Sequence, residues 1–245
     1  MISVACINEG AEFPRLQANS VLLRDHGLAV IVDCGGRRDR DTIINGLAAR
    51  GVERSHVDLV IVTHLHFDHC ENIDLFDKAE VVLHRDEFEF LERLLCESTP
   101  EKARAFLLST YECLPAFYLR TILRRLDECR SEYTRLLSDR GRLCLIDSNR
   151  STIDGLDIIK TSGHSVGHVS VGVRGIHPVW IAGDAVVSSR AWNTEVPWEQ
   201  QLCWSVRESV RSRSLIAEWD GVLIPGHGVP FATQTGSQVS FLQLE

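Results

Sequence analysis

The chain has 245 residues, 44% hydrophobic and 24% charged, the make-up of a globular protein long enough to bury a sizeable core and not that of a disordered one. Its formal net charge of −8 argues against a broad nucleic-acid face or an anionic-membrane face, both of which want a basic surface. Eight cysteines are scattered with no Cys-x-x-Cys pair, no apolar run reaches membrane-spanning length, and the first residues, Met1-Ile2-Ser3-Val4-Ala5-Cys6, show no basic stretch followed by an apolar core. The expectation is a cytoplasmic protein, off the membrane, with free and mostly buried thiols.

Residues 1–35 read as strands. Ser20 to Arg24 and Leu28 to Val32 are apolar runs joined by Asp25-His26-Gly27, a hairpin turn. The second run ends in Val32-Asp33-Cys34-Gly35-Gly36, where the glycines let the backbone turn tightly and Asp33 reads as a turn aspartate. Asp41 to Arg50 has Ile43, Ile44, Leu47 and Ala48 on one helical face, Asp41 as its cap and Gly51 as its stop.

Leu59 to Val62 is an unbroken apolar run of a strand covered on both faces. It leads into Thr63-His64-Leu65-His66-Phe67-Asp68-His69. His64 and His66 are two apart and share a side in extended chain. Asp68, with Glu71 three later and Ile73 and Leu75 beyond, reads as a helix start. Imidazoles clustered at the end of an apolar strand repel when charged and are costly when buried unpaired; a metal removes both costs.

Ala79 to Leu83 is a further strand, and His84 at its end reads as a core residue. Residues 86–140 are helical in pattern. Phe88, Leu91, Leu94 and Leu95 form one stripe; Ser98-Thr99-Pro100-Glu101 starts a new helix with proline first; Pro115 ends or kinks it; Leu119, Ile122, Leu123 and Leu126 continue at helical spacing. Arginines 120, 124, 125, 130 and 135 alternate with Asp127, Glu128 and Glu132, a solvated, ion-paired helix face. This stretch is an insertion that serves as a lid, a dimer surface or a cap. It holds all three tyrosines, Tyr111, Tyr118 and Tyr133.

Strands return at Leu143 to Ile146, Leu156 to Lys160, Val169 to Arg174 and Val179 to Ala182. Three of the segments here end in small residues and potential ligands: Thr161-Ser162-Gly163-His164-Ser165-Val166-Gly167-His168, Trp180-Ile181-Ala182-Gly183-Asp184-Ala185 and Val222-Leu223-Ile224-Pro225-Gly226-His227-Gly228.

Thr63 to His69 resembles the HxHxDH signature of the metallo-β-lactamase-fold hydrolases, and Gly163 to His168 resembles their GH[ST]xGH motif. Gly183-Asp184, Gly226-His227 and the continuation Gly228-Val229-Pro230-Phe231 follow in the family's order. The resemblance implies an α/β fold: a four-layer αββα sandwich, one domain over 1–245, with the helical insertion at about 86–140. It implies that His64, His66 and His164 hold one metal, that Asp68, His69 and His227 hold another, and that Asp184 bridges them. Asp33 becomes an outer carboxylate bracing a ligand imidazole, and His168 a core or outer histidine. The implied cofactors are two divalent ions, zinc by the nitrogen and oxygen donors, with iron or manganese open. No motif cysteine marks the second site, which points away from true β-lactamases.

The implied reaction is hydrolysis by a hydroxide shared between the metals, with Asp68 as the catalytic residue that orients it and relays its proton. The expected substrate is a small molecule with a carboxylic ester-type bond, in a lactone or thioester. Tyr111, Tyr118 and Trp192 are candidates to line its pocket, together with Trp198. The alternatives are a phosphodiesterase or ribonuclease on the same centre, an iron-dependent redox enzyme, and a ligand-binding protein that has lost turnover. A homodimer through the helical insertion is the expected assembly.

Overall fold

The structure is a computed structural model that describes residues 2–12, 15–25, 27–175, 178–193 and 201–240, with the backbone alone for Glu132 and Leu137. Two six-stranded sheets organise it. The first runs in chain order: β1 (Ser3–Asn8), β2 (Ser20–Asp25), β3 (Leu28–Val32), β4 (Leu59–Ile61), β5 (Glu80–His84) and β6 (Leu143–Ile146). Its first three strands pair antiparallel and its last four parallel. The second holds β7 (Arg150–Ile153), β8 (Leu156–Lys160), β9 (Val169–Val173), β10 (Val179–Gly183), β11 (Val222–Pro225) and β12 (Phe231–Ala232), antiparallel except where β10 lies parallel to β11.

Strand alternation sorts the side chains into layers. Val21 and Leu23, Val30 and Val32, and Leu59 and Ile61 face the second sheet, where they meet Leu156, Ile158, Val179, Ile181 and Ile224. Their neighbours Leu22, Ile31, Val60 and Val62 face the other way and are covered by helices. On the second sheet Trp180, Ala182 and Leu223 turn outward, onto Ile216. Each fully buried side chain of this size contributes about 1.5–3 kcal/mol of transfer free energy, so a one-residue slip in any central strand would exchange two such rows at once.

The outer helices follow in order. α1 (Arg40–Ala49) buries Ile43 and Leu47, and α2 (Phe67–Cys70) is a single turn. α3 (Arg85–Cys96), α4 (Pro100–Thr110), α5 (Ala116–Glu128) and α6 (Arg130–Ser138) fill the connection between β5 and β6. α7 (Ser189–Asn193) and α8 (Val206–Ala217) belong to the second sheet's outer face, where Ile216 packs beside Trp180. The result is the four-layer αββα sandwich of α/β class.

Several local expectations hold. Asp25 pairs with Leu28 across the β2–β3 hairpin, with His26 itself outside the described residues. Thr99 caps α4 by accepting Lys102 N–H at 3.3 Å, with Pro100 first. None of the eight cysteines is in a disulfide, and five of them are buried. Others shift. α1 begins at Arg40, so Asp41 sits in its first turn and Asp39 precedes it. α4 stops at Thr110, before Pro115, which instead stands at the start of α5, where its missing N–H costs nothing. Among the described residues no helix is long and apolar enough to cross a membrane.

Candidate metal centre

The chemistry gathers where β3, β4, β8, β10 and β11 end. Asp33 follows β3; Thr63 to His69 follow β4; Thr161 to His168 follow β8; Asp184 follows β10; His227 follows β11 by two residues. The two sheets are joined there directly, since Val169 N–H donates to Thr63 O at 2.9 Å. All seven side chains expected as ligands lie in this one cluster, in groups whose potential ligand atoms are within 4.8 Å of one another: His64, His66 and His164; His64, His69 and Asp184; Asp68, His69 and His227.

Hydrogen bonding fixes which nitrogens face inward. Thr63 Oγ1 donates to Asp33 Oδ2 at 2.8 Å, so its oxygen accepts from His64 Nδ1 at 3.1 Å, and His64 Nε2 is left without a proton. His164 is held by a hydrogen bond to the Leu202 backbone. His66 Nδ1 then lies 2.8 Å from His64 Nε2 and 2.9 Å from His164 Nε2. Three imidazole nitrogens converge, and one proton can satisfy only one of the two contacts. Burial first, and then the neighbouring imidazoles, hold His64 and His66 well below the usual histidine range, and burial takes His164 down to about 4.

The second group is oriented in the same way. His69 Nδ1 donates to Asp33 Oδ2 at 2.7 Å, and His227 Nδ1 to Gln17 O at 2.8 Å. Their Nε2 atoms lie 3.5 and 3.3 Å from Asp184 Oδ1, and His227 Nε2 lies 3.7 Å from Asp68 Oδ2. The other oxygen of Asp184 is 3.3 Å from His164 Nε2, so this carboxylate touches both groups. His69 Nε2 and Asp184 Oδ1 are buried and have no hydrogen-bond partner. Burial opposes charge on these histidines, but Asp33 and Asp184 hold His69 well above its ordinary range, and Asp184 brings His227 up to about 9. Buried acceptors that face one another need a cation between them, either a proton, as the raised His69 and His227 hold, or a metal ion. The donor set of imidazole nitrogens and carboxylate oxygens fits divalent metal.

A cavity of about 190 Å³ opens onto His66, Asp68, His164, Asp184 and His227. Leu16, Phe67, Ile122, Val187 and Leu202 make its apolar wall, while Glu12, Arg190 and Gln201 add polar groups. Tyr118 of α5 lines it. The other two pocket candidates, Tyr111 and Trp192, do not line this cavity. Tyr111 is buried behind His66, its hydroxyl 3.4 Å from His66 Nε2 and its ring against Phe90. Trp192 packs on Phe231 and beneath the Arg213 guanidinium. Trp198 lies outside the described residues. His168 is fully buried and binds Thr161 Oγ1 at 2.9 Å, and it accepts Ala185 N–H at 3.3 Å. His84 caps α3 by accepting Asp86 N–H.

Some contributors are invisible to motif reading. The carbonyl of Gln17 and the backbone of Leu202 carry no side-chain signal. Glu87, in the first turn of α3, is a buried carboxylate that holds two of the ligand loops.

A four-layer sandwich with this histidine and aspartate cluster at one edge of its sheets defines a metal-dependent hydrolase. The model of the Metallo-beta-lactamase superfamily matches residues 13–229, and the chain belongs to that superfamily. It is similar to "Metallo-beta-lactamase domain-containing protein 1" of Xenopus laevis, 27% identical over 86% of this chain and 71% of the relative. It is similar to the protein of the same name in Rattus norvegicus, 30% identical over 82% of this chain and 62% of the relative, so it spans well short of their full length. In fold it resembles the solved structure of a quorum-quenching N-acyl homoserine lactone hydrolase, with TM-score 0.65 and 17% identity over 98% of this chain and 96% of that one.

Proposed function

We propose that the chain is a binuclear metallohydrolase acting on the carboxylic ester-type bond of a small molecule, a lactone or thioester. The observation that supports it most is the convergence of seven potential ligand side chains: His64, His66 and His164 on one side of Asp184, and Asp68, His69 and His227 on the other. In this reading those residues are the ligands, Asp184 is shared, and Asp33 braces His69. Two divalent ions, zinc by donor type, would supply the Lewis acidity that ionises water near neutral pH and polarises a carbonyl.

The protein's own groups do the rest. Burial pushes the Asp68 carboxyl up, and Asp68 lines the cavity, so it is placed to take a proton at Oδ2 and pass it on. Phe67, Ile122 and Leu202 offer an apolar wall for an acyl chain and exclude water around the scissile bond. We read helices α3 to α6 as an insertion into a single domain, with α5 forming one wall of the site. The thiols, none of them in a disulfide, support a reducing cytoplasm. The solved relative named for a lactone hydrolase shares this fold, which adds weight to the ester-type reading.

The test is metal content by mass spectrometry together with turnover on a panel of lactone, thioester, p-nitrophenyl ester and bis-phosphodiester substrates. His66→Ala and Asp184→Asn should fold, lose metal and lose turnover. Full activity with unchanged metal in either variant defeats the ligand assignment, and a preference for the phosphodiester moves the substrate class to phosphorus.

A further inference from the structure

Glu87 stands in the first turn of α3, only 3% exposed. One of its oxygens accepts Leu65 N–H at 3.1 Å. The other accepts Ser165 Oγ–H at 2.8 Å and Gly167 N–H at 2.9 Å. Leu65 lies between His64 and His66. Ser165 and Gly167 follow His164. Among the described residues no lysine or arginine pairs with this carboxylate; its charge is met by hydrogen-bond donors at the start of a helix, where negative charge is favoured. The contact is close-fitting, because a Cβ on Gly167 would stand 2.3 Å from Glu87 N. A buried carboxylate without a cation is costly to keep, and these donors are its compensation.

We infer that Glu87 is a positioning residue for the three-histidine group: one buried carboxylate that ties the loop of His64 and His66 to the loop of His164. The inference rests on the metal-centre reading above. Besides the tie, the two loops meet through the His66 and His164 imidazoles, which must stay apart to receive an ion, through the His64–His168 ring contact and through the Val169–Thr63 backbone bond. Tyr111 adds a second brace from the same helical region, at the far nitrogen of His66. The outer groups of a metal site set the direction of its ligands, and losing one weakens binding about 10–100-fold.

Glu87→Gln keeps the shape but supplies one oxygen and one NH2 group, so a donor faces a donor at one of the three contacts. The full chain is stripped of metal, then titrated with cobalt(II), read by its visible absorption, and with zinc in competition with a chelating dye. Wild type should take up two equivalents. Glu87→Gln should keep one at wild-type affinity and bind the other about 10–100-fold more weakly, with an altered cobalt spectrum. Ser165→Ala, which removes one donor, should shift the same site in the same direction by less. A merely structural role would lower the melting temperature and leave affinity and spectrum untouched. If both variants titrate as wild type, the inference is overturned; if Glu87→Gln does not fold, Ser165→Ala alone decides. Failure of the wild type to bind cobalt or zinc would overturn the metal-centre reading itself, a distinct result.

Discussion

Asp33 Oδ2 accepts from His69 Nδ1 at 2.7 Å while Asp33 Oδ1 accepts Thr63 N–H at 2.8 Å, all from a backbone held at φ +57°. That conformation is tolerated by Asp and Asn better than by other side chains. Asp33→Asn therefore leaves the turn intact and changes the hydrogen bonding and the charge beside His69. An amide NH2 toward His69 Nδ1–H sets donor against donor, and the ring is driven to the tautomer with its proton on the Asp184 side. Zinc affinity should fall about 10–100-fold, and the metal-free protein, which loses the buried His69–Asp33 pair, should also melt lower. A chelator-competition titration checks it; wild-type affinity would remove Asp33 from the support of the site.

Gly226 is fixed by the site and not by its turn. A Cβ there would stand 1.8 Å from Asp184 Oδ1. Gly226→Ala must push the carboxylate off its position between His69 and His227, at a cost on the order of 1–3 kcal/mol for overpacking. Bound metal per chain should drop well below wild type, while far-ultraviolet circular dichroism stays native. Retention of full metal would show that Asp184 has room the structure does not give it.

The metal-free protein should be most stable near pH 6.5. His227 has a folded pKa raised to about 9, so its contribution is complete below its unfolded value, about 6.5, and is lost as pH rises through 9. His164, lowered to about 4, acts oppositely: the unfolded chain binds the extra proton, so stability falls as pH drops from about 6.5 toward 4. Melting temperatures of the chelated protein from pH 4 to pH 9.5 should trace this dome. Added zinc should raise the alkaline limb most, because there it no longer competes with the proton of His227. A monotonic profile in the chelated protein would contradict the paired shifts.

Ile122 of α5 supplies part of the apolar wall. If that wall receives an acyl chain, Ile122→Ala should raise KM for a long-chain ester or lactone by about tenfold, leave kcat within about twofold, and barely affect a short-chain substrate. Steady-state kinetics on a chain-length series decides it, and equal effects on all lengths would place the acyl group elsewhere.

The strand ends of the site were legible because each is an apolar run closed by a small residue and a ligand type, as in Ile181-Ala182-Gly183-Asp184. The layer order followed from family resemblance, and alternation in Val21 to Leu23 and Val30 to Val32 agrees with it. The pocket was less legible. Helical spacing shows that Tyr111 and Tyr118 lie in a helical region, but the direction in which each faces depends on how α4 and α5 pack, and only Tyr118 reaches the cavity. Short edge strands such as β7 and β12 carry too few residues to show a period. Backbone groups such as Gln17 O leave no trace in side-chain chemistry.

The pairing of His227 with Gln17 spans 210 positions, and Asn19 of the same segment grips Pro225 O and Gly228 O at 2.8 Å each. A chain leaving the ribosome can close this clasp only once residue 227 has emerged, by which time β2 to β5 have long been available to fold. Under the proposed ligand assignment, completion of the Asp68–His69–His227 group is thus reserved for a polypeptide that has been translated nearly to this point, while one terminated between residues 164 and 227 would carry the His64–His66–His164 group alone.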